Sequence, residues 1–306
     1  LTQVSVLGDV TYGACCVDDI TAKELGCELL VHYGHSCLVP LQHTAVPVLY
    51  VFVEVHIDIV HMVECLKATL QHQRPHIYLL GTVQFRHAFV IAQEMLQESG
   101  FDVSIPQVKP LSPGEVLGCT SPVLGNGVVC FVADGRFHLE ATLISNPQID
   151  TYYRYDPYSQ TLTEEEYDHA QMHEIRKNSI EKARSCQSFG IILGTLGRQG
   201  NPAIVQRVQQ VLGHHKKKSF IMLVSEISPS KLEAFPSIDC WVQVACPRLS
   251  VDWAHNLSSK PVLTPYELFV ALHETEWKET YPMDYYSTAG GPWGNYHEEN
   301  RDRQWK

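Results

Sequence analysis

Short β-branched apolar runs alternate with longer, mixed apolar and polar stretches along most of this chain. The apolar runs at 4–7, 29–32, 48–55, 77–80, 103–105, 128–133, 190–193, 221–224 and 241–244 predict strands. Runs that are apolar at every position and separated by helices belong to parallel strands buried on both faces, so the pattern predicts an α/β protein. Helical spacing of apolar positions predicts helices over 57–71, 88–98, 164–185, 203–212 and 265–272. Thr163 with Glu166 three residues later forms a capping-box pattern, which predicts the start of the 164–185 helix.

A short frame, V-x-x-G-x-x-x-L, recurs within this rhythm at 31–38 and 132–139, and again at 242–249 with Ala245 in place of glycine. Joined to the strand–helix alternation, it predicts three similar parallel-sheet units. The expected division is 1–45, 46–150 and 151–280, followed by an extended tail over 281–306. The first unit shows only two strands before Val46, and the chain opens within a strand, so this unit is expected to lack an opening strand and helix at its N-terminus. Open parallel sheets bind ligands beyond the carboxyl ends of their strands. One cysteine of each expected unit, Cys15, Cys119 and Cys246, follows a strand run in that way. If the units share a centre, three thiolates there can hold an iron–sulfur cluster and leave one iron open.

The chain has 306 residues, 44% of them apolar, enough for sizeable cores. Its formal charge of −11 argues against a general nucleic-acid binder, and the one basic run, Lys216-Lys217-Lys218, reads as a solvated turn. With ten cysteines in a chain of this length, disulfides are not needed for stability. No charged segment followed by an apolar one opens the sequence, so a secretory route is not expected. The most apolar stretch, 46–60, is interrupted by Glu54, His56 and Asp58 and is too short to span a bilayer. A reducing, cytoplasmic setting is expected, in which cysteines are buried small hydrophobes or ligands.

Several longer motifs carry a resemblance. They are Gly8-Asp9-Val10-Thr11-Tyr12-Gly13-Ala14-Cys15-Cys16, Pro110-Leu111-Ser112-Pro113-Gly114-Glu115-Val116-Leu117-Gly118-Cys119-Thr120, Asp134-Gly135-Arg136-Phe137-His138-Leu139-Glu140, Leu193-Gly194-Thr195-Leu196-Gly197-Arg198-Gln199-Gly200, Val244-Ala245-Cys246-Pro247-Arg248 and Tyr281-Pro282-Met283-Asp284-Tyr285-Tyr286. Together they resemble the diphthamide synthase family, specifically its eukaryotic subunit 1. The resemblance implies three α/β units around a central 4Fe-4S cluster, with Cys15, Cys119 and Cys246 as ligands. It implies transfer of the 3-amino-3-carboxypropyl group of S-adenosylmethionine to a histidine of translation elongation factor 2. It also implies a heterodimer with diphthamide synthase subunit 2 and a small iron-binding subunit that donates electrons. The opening strand and helix usual in the family are missing from the sequence as given.

Other candidates stand beside these. Cys16 rivals Cys15, which follows Gly13-Ala14 as the family's ligand does; Cys37, Cys65, Cys130, Cys186 and Cys240 read as packing residues. Gly194, Gly197 and Gly200 form a loop whose backbone amides can approach a substrate. Arg136 can pair with a substrate carboxylate, and Ser230 can bind the same group or cap a helix. His169 and His173 stand four apart, as zinc ligands do, without an evident third ligand. Two competing functions remain: a supporting subunit without catalysis, and a nucleotide-binding oxidoreductase, for which no GxGxxG fingerprint is present.

Overall fold

The computed structural model describes residues 3–8, 17–39, 41–196, 200–287, 290–294 and 297. The first element, α1 (Asp19–Glu24), starts where the Asp18 side chain accepts the Thr21 amide. Strands β1 (Leu30–Gly34) and β2 (Val48–Phe52) pair in parallel, from Leu30 opposite Val48 to Gly34 opposite Phe52. The sequence placed β2 in the second unit, but its only ladder among the described residues is with β1. The expected strand over 4–7 does not form: no strand pairs with it, and Val4 and Val6 are 79% and 86% exposed.

Next come α2 (Ile59–Thr69), β3 (His76–Gly81), α3 (His87–Glu98), β4 (Asp102–Ser104), β5 (Val128–Val132), α4 (Phe137–Ser145), β6 (Thr151–Asp156) and β7 (Thr161–Glu164). Their sheet has the order β4-β3-β5-β6-β7, parallel except for the β6–β7 hairpin. All five residues of β5 are buried, which is why its run carries no polar position. Both hairpin strands lie past residue 150, where the sequence opened the third unit; their Tyr, Arg and Thr composition suits a half-covered edge rather than a core strand.

The third sheet follows α5 (His169–Ser185). It is built from β8 (Ser188–Gly194), α6 (Pro202–His214), β9 (Lys218–Val224), α7 (Pro229–Glu233), β10 (Cys240–Val244), α8 (Pro247–Leu257), β11 (Val262–Leu263) and α9 (Pro265–Ala271). Its order is β11-β10-β8-β9, all parallel. The expected capping box at Thr163 is not the start of α5. Thr163 lies in β7 opposite Arg154, and the cap is Asp168, whose carboxylate accepts the Gln171 amide at 2.8 Å. A true capping box opens α9, where Thr264 and Glu267 bond reciprocally.

The main apolar core joins the second and third sheets. Leu80, Val129 and Phe131 of one belong to the same buried cluster as Phe189, Ile191 and Val242 of the other. The stretch past residue 280 has no strand or helix among its described residues, yet Tyr281, Met283, Tyr285 and Trp293 are buried in that same core. A buried ion pair ties α5 to the start of α9: Arg176 Nε and Nη2 donate to the two Glu267 oxygens, both at 2.6 Å. The guanidinium also donates to the Ser250 and Val262 carbonyls, so every polar edge is used. Tyr281 completes the network with a 2.9 Å bond to Glu267. Removing one partner of such a pair strands the other charge. Arg176→Ala should therefore lower unfolding free energy by about 3–5 kcal/mol, read from urea titration beside an exposed control such as Arg184→Ala, which should cost less than about 1 kcal/mol.

Candidate functional site

Cys119 owes its position to the loop that extends the carboxyl end of β3. Gly81 of β3 donates to the Gly114 carbonyl and accepts from Val116, so Glu115 continues the sheet as a parallel bridge. Leu117 and Thr120 then bond to each other in both directions, at 3.1 and 3.3 Å, leaving Gly118-Cys119 as the tip of a tight turn. Cys119 is buried, with its sulfur 3.8 Å from the Thr120 hydroxyl.

Cys246 sits just past β10 as the N-cap residue of α8, with Pro247 at the first helical position. Its side chain caps no backbone amide, and the helix dipole favours negative charge at this position. Neither Cys119 nor Cys246 is in a disulfide.

Arg248, one residue past the proline, joins the two cysteine loops. Its side chain is 3% exposed, and its Nη1 donates to the Gly118 carbonyl at 3.1 Å and to the Phe137 carbonyl at 2.7 Å. Nη2 donates to Glu140 at 2.5 Å, while Nε bonds Asp252 one helical turn along α8. The guanidinium also lies 4.3 Å from the centre of the Phe137 ring. That ring covers Gly118: a β-carbon there would come within 2.2 Å of it, so only glycine fits beneath. The residue before Cys119 is thus held by the residue two past Cys246.

Two further segments reach this junction. Burial, followed by the nearby Arg248 charge, pushes the His138 imidazole down to about 4, so its ring is neutral in ordinary solution. His35, from the loop after β1, is an electrostatic neighbour of the same ring, and Ser36 donates to Glu115 at 2.8 Å. Glu115 is 1% exposed, and its second carboxylate oxygen has no hydrogen-bond partner. Past residue 280, Asp284 bonds the Thr120 side chain, and Tyr285 lies within electrostatic reach of both Cys119 and Cys246. Segments from all three sheets and the C-terminal stretch therefore meet around these two thiols.

The remaining sequence candidates divide clearly. Cys15 and Gly197 lie outside the described residues. Gly194 ends β8 and faces Ala245, beside Cys246. A β-carbon on Gly200 would come 2.2 Å from the Gly194 carbonyl, so Gly200 packs directly against the end of β8. Arg136 is already committed: it pairs with Glu165 and Glu140 and donates to the Glu166 carbonyl at 2.9 Å. Ser230 is exposed in the short α7, its hydroxyl 3.3 Å from Ser228. Burial pushes the Cys130 thiol up to about 12, as suits a packing residue inside β5. A groove of about 690 Å³ between α5 and α8, lined by Arg136, Glu140, Arg176, Asp252 and Lys260, contains neither thiol.

Comparison with known proteins gives the site its context. The family model for diphthamide synthesis protein matches residues 1–282. The chain belongs to the diphthamide synthesis family. It is 51% identical over 309 residues to 2-(3-amino-3-carboxypropyl)histidine synthase subunit 1 of Caenorhabditis elegans, covering 98% of this chain and 77% of that protein. Against the human protein of the same name, identity is 50%, covering 98% and 68%. The crystal structure of Dph2 from Pyrococcus horikoshii with a 4Fe-4S cluster superposes with a TM-score of 0.73 at 30% identity, over 90% of this chain and 80% of that one. These relationships make the chain a member of the family's enzyme class, 2-(3-amino-3-carboxypropyl)histidine synthase.

The donors present suit an iron–sulfur group. Two thiols follow strand ends of the two large sheets, a neutral imidazole lies beside the Arg248 that links their loops, and a buried tyrosine hydroxyl within electrostatic reach of both thiols has no hydrogen-bond partner. Sequence reading missed Arg248, Phe137, Glu140, Asp252 and Tyr285 as parts of the site. The only signal for them was that several fall inside the motifs carrying the family resemblance.

The clamp is testable without metal. In the metal-free chain a short bifunctional thiol-alkylating reagent, such as a dibromoalkane, should bridge Cys119 and Cys246, identified by peptide mapping. Arg248→Lys retains a charge but loses the planar fork, so bridging should fall several-fold while the fold survives. Equal bridging in both proteins would show that Arg248 does not hold the loops together.

Proposed function

We propose that this chain is the cluster-bearing subunit that transfers the 3-amino-3-carboxypropyl group of S-adenosylmethionine to a histidine of translation elongation factor 2, the first step of diphthamide biosynthesis. The observation that carries this reading is the Arg248 bond that joins the Cys119 turn to the start of the helix capped by Cys246, in a family member that aligns with a 4Fe-4S protein. Cys15 is the third ligand in this proposal. Held by these three thiolates, a 4Fe-4S cluster would supply an open iron for the methionine end of the sulfonium and an electron for cleavage of its aminocarboxypropyl carbon–sulfur bond.

The chain's own residues set the surroundings. The Arg248 clamp fixes the separation of two ligands, and the apolar packing around Cys119 excludes water from one side. Gly194 and Gly200 stand together beside Ala245, next to Cys246, where their backbone can meet the substrate. The unpartnered oxygen of Glu115 offers a buried acceptor on the side facing the first sheet. In this reading the working form is a heterodimer with diphthamide synthase subunit 2, served by a small iron-binding electron donor in the cytoplasm. No helix among the described residues is long and apolar enough to cross a membrane.

Two measurements test the proposal. After anaerobic reconstitution, Cys119→Ala should lose most of its 4Fe-4S absorption, while Cys130→Ala keeps it, because Cys130 is buried within β5 away from the turn. Equal cluster content in wild type and Cys119→Ala would remove Cys119 from the ligand set and favour a supporting subunit. With its partner subunit, a reductant and S-adenosylmethionine, the wild-type chain should release methylthioadenosine. Chromatography showing 5′-deoxyadenosine as the main nucleoside would reject the proposed bond choice.

A further inference from the structure

Tyr285 is 5% exposed, and its hydroxyl is buried without a hydrogen-bond partner. Native proteins rarely leave such a group unsatisfied, and where they do, a missing ligand is one of the few physical reasons. The obvious neighbour does not serve. Thr264 accepts the Glu267 amide at 3.2 Å, and its hydroxyl meets Tyr281 at 3.2 Å, while Tyr281 itself donates to Glu267. Thr264 therefore gives its proton to Tyr281; it is near Tyr285 but forms no well-shaped bond with it. Cys246 and Cys119 both lie within electrostatic reach of the phenol.

The backbone around Tyr285 is fixed independently. Asp284 accepts the Tyr286 amide at 2.9 Å and bonds the side chain of Thr120, the residue after Cys119. Its neighbours Tyr281 and Met283 are buried in the main core. The segment that carries the phenol is therefore anchored beside the Cys119 turn by the bond from Asp284 to Thr120. Burial also drives the phenol's acidity far from the ordinary tyrosine range, upward, so it remains a proton donor.

We propose that the Tyr285 hydroxyl donates a hydrogen bond to a sulfur of the iron–sulfur group held by Cys119 and Cys246, making that group easier to reduce. This rests on the cluster reading above. A hydrogen bond to a cluster or ligand sulfur withdraws electron density and stabilises the more negative, reduced state, raising the reduction potential. Tyr285 is in this sense a positioning and tuning residue: it forms no bond to iron. Phenylalanine fills nearly the same space, so Tyr285→Phe removes the donor and leaves the packing.

The test uses the chain with its partner subunit, reconstituted without oxygen. Tyr285→Phe should carry the same iron and sulfide as wild type, with a more negative midpoint potential and altered g-values in the reduced state. Tyr281→Phe, which loses a bond to Glu267, should lower thermal stability without moving the potential. Pulsed EPR of the reduced wild type in H₂O and D₂O provides a second readout, in which an exchangeable proton strongly coupled to the cluster should be seen. Its absence from the wild type overturns the proposal even if the variant does not fold. Equal potentials in loaded wild type and Tyr285→Phe overturn it as well, as does a higher KM for S-adenosylmethionine at unchanged potential, which would assign the hydroxyl to the substrate. A wild type that holds no cluster overturns this inference together with the reading beneath it, and so is distinguished from failure of the hydrogen bond alone.

Discussion

The Arg248 guanidinium bonds groups from both large sheets, and the position of Cys246 relative to Cys119 follows from it. Five donors on a planar fork allow one side chain to satisfy two carbonyls and two carboxylates at once. Its charge is balanced locally by Glu140 and Asp252, which permits burial at the junction. Burial pushes the Asp252 carboxyl upward, and the adjacent guanidinium counteracts this.

Around this clamp the protein uses rigid packing. Gly118 lies under Phe137, Gly200 lies against Gly194, and neither place has room for a β-carbon. Such contacts are intolerant of small shifts because protein interiors are packed as densely as organic crystals. The Arg176–Glu267–Tyr281 network does the same for the far wall, fixing the segment that delivers Asp284 and Tyr285. The site thus lies between two buried charge networks, one spanning the sheets and one anchoring the C-terminal stretch.

Much of the fold could be read from local patterns. The buried runs at 128–133 and 241–244 became the central strands β5 and β10, since a strand covered on both faces tolerates few polar residues. The hairpin of β6 and β7 escaped because its tyrosines, arginine and threonines look like a polar boundary, and the same threonine imitated a helix cap. The run at 4–7 looked like a strand but found no partner, since strand propensity needs a neighbouring edge to become a ladder.

Of the site itself, sequence by itself determined the chemistry available: cysteines following strand runs, one in each expected unit, within motifs shared with the diphthamide synthesis family. It also placed Cys246 at a strand end, where β10 leads into α8, because helix and strand periodicities are local. Which loops are joined was decided by tertiary structure. Arg248 could have bonded any nearby carbonyl, Arg136 was free on paper to hold a substrate carboxylate, and Tyr281–Tyr286 read as part of a motif without a place. Long-range packing gave Arg248 to Gly118, Arg136 to Glu165 and Tyr285 to the two thiols. These are contacts between residues far apart in the chain. Local periodicity encodes which face of an element is buried, whereas the partner across that face is set only when the sheets close on one another.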